Sequence, residues 1–338
     1  MAYYIVTGLT SSPYLRIYPW TDAGIGTEFA GPPTLATSQA TFVRMHPALS
    51  GVVATHNASP RVKAYGWSGA GYGSTLAVPD PANATSQIAW HPSGNSIVLA
   101  TEFSPAVSAY PWSGAGFGAK YPDPSYTIPF NVYVVAFSPA GTEVVVGGGS
   151  GGSLDALSWS NGWGSNLARP SPLPSINVRG LAFSPDGAFV AVAHDTSPYI
   201  SVYAWSPAGF GAKVADPAVL PGSDGKSVAF SPSGNTLFVG TASNKVIAYH
   251  WSLSGFGAQY SGVPAELPNF VRSLSVSPAG DAVAVSGNNQ ATVFRWTEGV
   301  GFGEVVYGDV PFAGTTNEVH FAGVPDIFWT NFVKSYEV

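Results

Sequence analysis

The side chains with the widest chemical range in this sequence are its six histidines and a few acids in turn-rich stretches. His46 and His91 each precede a proline, at a place where equivalent stretches carry serine, which reads as a turn or cap role. His56 and His194 occupy matching positions next to Asn57 and Asp195, three repeats apart. A zinc site needs a third ligand, and none is near either histidine, so surface imidazoles are expected and no metal ligand is assigned. Glu102, Asp195, Asp216 and Asp224 lie singly in different repeats, so paired-carboxylate chemistry would require the fold to converge them. Gly114-Ala115-Gly116-Phe117-Gly118 invites a nucleotide-binding reading by its glycines, but a phosphate cradle needs a strand before it and a helix after it. Its recurrence between two strands marks a hairpin turn, so no catalytic or cofactor-binding residue is assigned.

The elements that must position these residues repeat along the whole chain. Trp20, Trp67, Trp112, Trp159, Trp205, Trp251 and Trp296 are spaced by 47, 45, 47, 46, 46 and 45 residues. A period of about 40–50 residues made of short β-runs and turns is that of propeller blades, each a four-stranded sheet. One unit reads from Leu181-Ala182-Phe183 (strand A) through the Ser184-Pro185-Asp186-Gly187 turn to the apolar run 189–193 (strand B). Residues 200–205 follow as strand C, with Tyr203 and Trp205 on one face, and Gly209-Phe210-Gly211 reverses the chain into strand D. Pro19 and Pro111 sit between the paired aromatics of their units, where strand C should end or bulge.

The fold expected is all-β, a single seven-bladed β-propeller, with eight blades as the alternative. The chain starts on a strand-B run at residues 3–7. Its missing strand A is supplied by Glu318-Val319-His320-Phe321, which should close the ring against aggregation-prone edges. Residues 1–321 are thus assigned to the propeller and 322–338 to an extension. Trp329, Phe332 and Tyr336 make that extension a candidate assembly tail, packing on the ring or on a neighbour.

Composition narrows the function. With 40 Gly, 29 Pro and 45% hydrophobic residues the chain has both turns and a core. Thirteen Lys and Arg in 338 residues, at net charge −6, give no basic stripe, so nucleic acid is not expected as a partner. No apolar run is long enough to span a bilayer, and the first residues lack a signal peptide's basic region, so neither membrane insertion nor export by that route is expected. Cysteine is absent, and no cofactor is implied.

Comparing units with one another, the Ser-Pro and Gly-Phe-Gly turns are uniform while the loops between strands B and C differ. Those loops share one face with the returns from strand D to the next strand A. That face is the candidate binding surface, with His56, Asn57, Arg61, Glu102, Phe103, His194, Asp195, Tyr199, Asn244, Asn288 and Asn289 as its residues.

The Ser-Pro-x-Gly turn after an apolar triplet, at blade period, resembles the WD-repeat and YVTN-type propellers over nearly the whole chain. The word running from Tyr249 to Gly257, Tyr-x-Trp-Ser-x-x-Gly-Phe-Gly, resembles repeats in predicted bacteriophage proteins. That resemblance implies a non-enzymatic virion component for structure or host attachment, made in the host cytoplasm. Its partners would be other virion proteins or copies of itself, or a host-surface glycan. The alternatives are a carbohydrate-binding lectin, for which Phe103 and Tyr199 are the exposed aromatics, and a hydrolase like the YVTN-type lactonases.

Overall fold

The computed structural model describes residues 3–34, 38–79, 85–101, 103–149, 153–174, 177–243, 245–262, 270–287, 291–306 and 316–323. Glu102, Asn244, Asn288, Asn289, Trp329, Phe332 and Tyr336 lie outside them.

The described residues form seven antiparallel four-stranded sheets and no helix, the seven-bladed propeller that the tryptophan period predicts. Blade 5 shows the plan: strand A is Val178–Phe183, B is Phe189–His194, C is Ile200–Ser206 and D is Gly209–Lys213. Strands A and B are buried almost throughout, because neighbouring blades cover both of their faces, and so they read as unbroken apolar runs. Strand C buries Tyr203 and Trp205 on one face. Trp205 meets the hairpin residue Phe210 edge-on at 5.0 Å, and the Tyr203 hydroxyl donates to the Pro172 carbonyl at 2.7 Å. Tyr65 and Tyr249 make the same bond to Thr34 and Val219, so in these three blades the tyrosine fastens the preceding outer return to the blade.

The prolines inside strand C do not end it, since strands Leu15–Thr21 and Val107–Ser113 run through Pro19 and Pro111. In blades 2, 5 and 6, numbered along the chain, the C–D register shifts between the tyrosine and the tryptophan, at the position that Pro19 and Pro111 hold in blades 1 and 3, whose strands C and D pair only from the tryptophan onward. A bulge leaves one residue out of the ladder, and proline, which has no N–H, fits there.

Ring closure follows the expected pairing. Strand Thr316–Ala322 lies antiparallel to Tyr3–Leu9, with Ile5 opposite Phe321 and Gly8 opposite Glu318, and serves as strand A of blade 1. The inner edges of the seven A strands still need partners, because a strand edge leaves backbone groups unpaired. Polar residues set into these apolar strands answer that need, each bonding the next blade. Ser86 donates to the Val132 carbonyl, Gln87 accepts from Val135 N–H, Ser227 from Leu274 N–H, Ser273 from Val319 N–H and Ser275 from Phe321 N–H. The hub is therefore stitched by side chains as well as packed.

Candidate functional site

The second residue of strand A stands at the same end of the ring in every blade, next to the B–C loop. In blades 5, 6 and 7 it is Arg179, Lys226 and Arg272. All three are mostly buried, with Lys226 and Arg272 each 7% exposed. Asp195, the first loop residue after strand B of blade 5, ties two of them together. Its Oδ2 accepts from Arg179 Nε at 2.9 Å and Nη2 at 2.7 Å, and from Asn177 at 3.0 Å. Its Oδ1 accepts from Lys226 Nζ at 2.7 Å, and the same Nζ reaches Asp224 at 3.1 Å. Aromatic rings flank the cations: Arg179 lies 5.4 Å from the Tyr133 ring centre, and Lys226 and Arg272 each lie 6.0 Å from that of Phe270.

The outcome is a continuous arc over blades 4 to 7, running Tyr133, Arg179, Asp195, Lys226, Phe270, Arg272. With Asp224 counted, it holds three formal positive charges and two negative ones. Burial pushes the Asp195 carboxyl up, but hydrogen bonds from Arg179 and Lys226, with their charges, outweigh that and hold it below the ordinary carboxylate range. Asp195 is thus an ionised anchor for two cations. Ion pairs this poorly hydrated act through a lower effective dielectric than surface pairs, so the arc presents a strong field to anything bound against it.

Asp195 is among the candidate residues of the sequence, and the three cations are not. Their signal was legible, because each stands five residues before the serine of its Ser-Pro turn, at Ser184, Ser231 and Ser277. Asp195 and Asp224, which looked scattered, meet through Lys226 because strands A of neighbouring blades are adjacent in space.

Other expected site residues fare differently. His56 and His194 are buried, 1% and 2% exposed, which corrects the expectation of surface imidazoles. His56 Nδ1 faces the Ser38 carbonyl at 3.0 Å, and His194 Nε2 faces the Ser201 hydroxyl at 3.0 Å. Desolvation lowers the His194 pKa to about 4, so it is neutral and structural, and the two histidines are not brought together. His46 and His91 do serve the turns, each reaching the glycine carbonyl of the next blade's turn, Gly94 and Gly141, at 3.0 Å. Asn57 is exposed, Arg61 half-buried, Phe103 59% exposed, and Tyr199 half-buried at a positive φ of 69°. The B–C loops are also less divergent than their letters suggest, since those of blades 1, 2, 3 and 5 share a cis Ser-Pro step at Pro13, Pro60, Pro105 and Pro198. Among the described residues no three His, Asp or Glu side chains gather as a metal site.

Solved structures similar to the chain share the whole ring. A candidate 6-phosphogluconolactonase of Bacteroides uniformis matches at TM-score 0.74 and 14% identity, over 95% of this chain and 99% of that one. The periplasmic gluconolactonase of Pseudomonas aeruginosa matches at TM-score 0.71 and 18% identity, over 96% and 100%. A Lactobacillus plantarum protein matches at TM-score 0.72 and 14% identity, over 96% and 100%. No family model and no curated protein matches the chain.

The chain is therefore a seven-bladed propeller, and its structural neighbours include propellers of the 6-phosphogluconolactonase-like type. These neighbours overturn the expectation of a non-enzymatic virion or attachment protein, and nothing among them supports WD-repeat membership. The physical reason lies in the motif that carried the phage resemblance. From Tyr249 to Gly257 the residues shape the C–D hairpin itself: Trp251 packs edge-on to Phe256 at 5.1 Å, and Gly255 turns at φ 103°. A motif dictated by blade geometry reports the fold and carries no function.

Proposed function

We propose that the chain is a lactonase-like hydrolase that opens a sugar lactone at the Arg179–Asp195–Lys226–Arg272 arc. The observation that carries this reading is the row of three buried cations on consecutive inner strands, flanked by Tyr133 and Phe270. Opening a lactone requires water to add to the ring carbonyl, which builds negative charge on its oxygen. The C–O bond to the ring oxygen then breaks, and that oxygen leaves as a hydroxyl. Preorganised cations in a poorly hydrated site stabilise that developing charge. Lys226 and Arg272 are the groups for it, while Asp195 fixes Arg179 and Lys226 in place. Asp224, the more exposed carboxylate on Lys226, is the acceptor for the proton of the attacking water. The rings of Tyr133 and Phe270 offer apolar faces to a sugar ring. Two of the structurally similar propellers are a gluconolactonase and a candidate 6-phosphogluconolactonase, which agrees with this reading.

The test is the hydrolysis of glucono-δ-lactone and 6-phosphoglucono-δ-lactone measured against spontaneous opening. Acceleration of either is expected, with Lys226→Met and Arg272→Gln each losing at least about tenfold in kcat/KM. A purified, folded protein that accelerates neither lactone overturns the proposal.

A further inference from the structure

Blade 4 departs from its neighbour at two positions that touch. In blade 5 the residue after strand B, Asp195, bonds the second residue of strand A, Arg179. Strands A and B of blade 4 are Val132–Phe137 and Glu143–Gly148, and there the same two positions hold Tyr133 and Gly149. A β-carbon built on Gly149 would lie 2.7 Å from Cζ and 2.9 Å from Cε2 of Tyr133, and closer still to the phenol oxygen. Tyr133 thus packs its ring on bare backbone, across the space that a side chain at position 149 would need.

The backbone is the partner that cannot yield. The Gly149 N–H donates to the Asn131 carbonyl at 3.0 Å, and the Gly149 carbonyl accepts from the Ser153 hydroxyl at 2.8 Å. Gly148, just before it, meets the Asn131 carbonyl so closely that no β-carbon fits there either. On the arc itself, the Arg179 guanidinium stands over the Tyr133 ring at 5.4 Å. Carbon atoms rest about 3.5–4.0 Å apart, so a side chain at position 149 would shift the tyrosine by about 1 Å relative to the cations. The φ of Gly149 is not left-handed, so its backbone would accept alanine, and the atoms nearest to the added carbon all belong to Tyr133.

We infer that Gly149 is a positioning residue of the arc: bearing no side chain, it lets Tyr133 rest where its ring bounds the cationic row, and so it sets how tightly the arc holds its ligand. This role presupposes that the arc is the ligand site proposed above.

The test compares the wild type with Gly149→Ala, Tyr133→Ala and the double variant, each checked for cooperative thermal unfolding. KM and kcat are measured on the lactone that is hydrolysed, and the dissociation constant of 6-phosphogluconate by calorimetry. Gly149→Ala is expected to raise KM and that dissociation constant about tenfold while kcat stays within about twofold, because Lys226, Arg272 and Asp224 keep their places. Tyr133→Ala should weaken binding as well, and adding Gly149→Ala to it should change nothing further, since the collision is gone. The inference is overturned if Gly149→Ala leaves binding unchanged or acts equally without the tyrosine ring. It is also overturned if Tyr133→Ala alone does not weaken binding, an outcome that can be read even where Gly149→Ala fails to fold. Should neither lactone be hydrolysed, the reaction proposed for the arc falls, and the role of Gly149 is decided by 6-phosphogluconate binding. A wild type that neither hydrolyses a lactone nor binds 6-phosphogluconate overturns both.

Discussion

Nη1 of Arg44 lies 2.5 Å from Oε1 of Glu318, joining residues 274 positions apart across the seam where the ring closes. Glu318 belongs to the closing strand of blade 1 and Arg44 to the inner strand of blade 2, and their side chains are 1% and 5% exposed. Burial pushes the Glu318 carboxyl up to about 7, against the opposing pull of the Arg44 charge and hydrogen bond and of Ser273. A buried pair is expensive to break from one side, because the remaining charge has no water to return to.

A pH dependence follows. The folded pKa of Glu318 is above its ordinary 4.5, so between those values the native chain holds a proton that the unfolded chain has released. The contribution of this group to stability is complete below about pH 4.5 and is lost as pH rises through about 7. Denaturant melts should show the stability of the wild type relative to Glu318→Gln falling from pH 5 to pH 8. A constant difference across that range would mean that Glu318 stays ionised beside Arg44.

Removing the cation alone should be severe. Arg44→Met is expected to cost about 3–5 kcal/mol at pH 8, and the double variant with Glu318→Leu should recover most of it. Equal losses in the single and double variants would argue that packing, and not charge, governs the seam.

At the arc the sign reverses. Asp195 is held below its ordinary 3.8, so its stabilisation is present above that value and disappears as pH falls through the lower folded value. Asp195→Asn should cost about 3 kcal/mol near neutrality, with the gap to wild type closing in strong acid. Unfolding curves at pH 7 and pH 2.5 are the measurement, and a gap that does not narrow would exclude an ionised anchor.

Two glycines in equivalent turns should respond differently to the same change. A methyl on Gly187 (φ 70°) would meet Pro139 Cγ at an ordinary contact distance, 3.6 Å, so Gly187→Ala should cost only the left-handed backbone penalty of about 1–2 kcal/mol. A methyl on Gly94 would lie 2.3 Å from His46 Nε2 and dislodge the ring that reaches its carbonyl. Gly94→Ala should cost about 1–3 kcal/mol more than Gly187→Ala. That excess should vanish in a His46→Ala background, and its persistence there would show that the clash is not with His46.

Ending the chain before Thr316 should give insoluble protein, since strand Tyr3–Leu9 would lose its inner partner and expose a long apolar edge. Phe321→Ala, which keeps the strand, should instead leave a soluble ring weakened by about 3–5 kcal/mol, because Phe321 is fully buried against Trp20. Solubility and melting of the two variants decide the matter.

The propeller was legible in the sequence because its physics is local and repeated. A tryptophan every 45 to 47 residues, Ser-Pro turns with glycine two residues on, and apolar runs at strand length each describe one blade, and the ring follows by repetition. The closing strand was legible too, because residues 318–321 match the other A strands and the chain begins without one. The burial of His56 and His194 was not, because strand ends look alike whether loops cover them or not. Nor was the arc. Arg179, Lys226 and Arg272 are about 46 residues apart in the chain, and each alone reads as a stray charge in an apolar strand. Closing the ring sets their strands side by side and brings Asp195 and Asp224 onto one ammonium group. Periodicity is a property of single blades and so of the sequence, whereas a site shared by several blades exists only once the ring has formed.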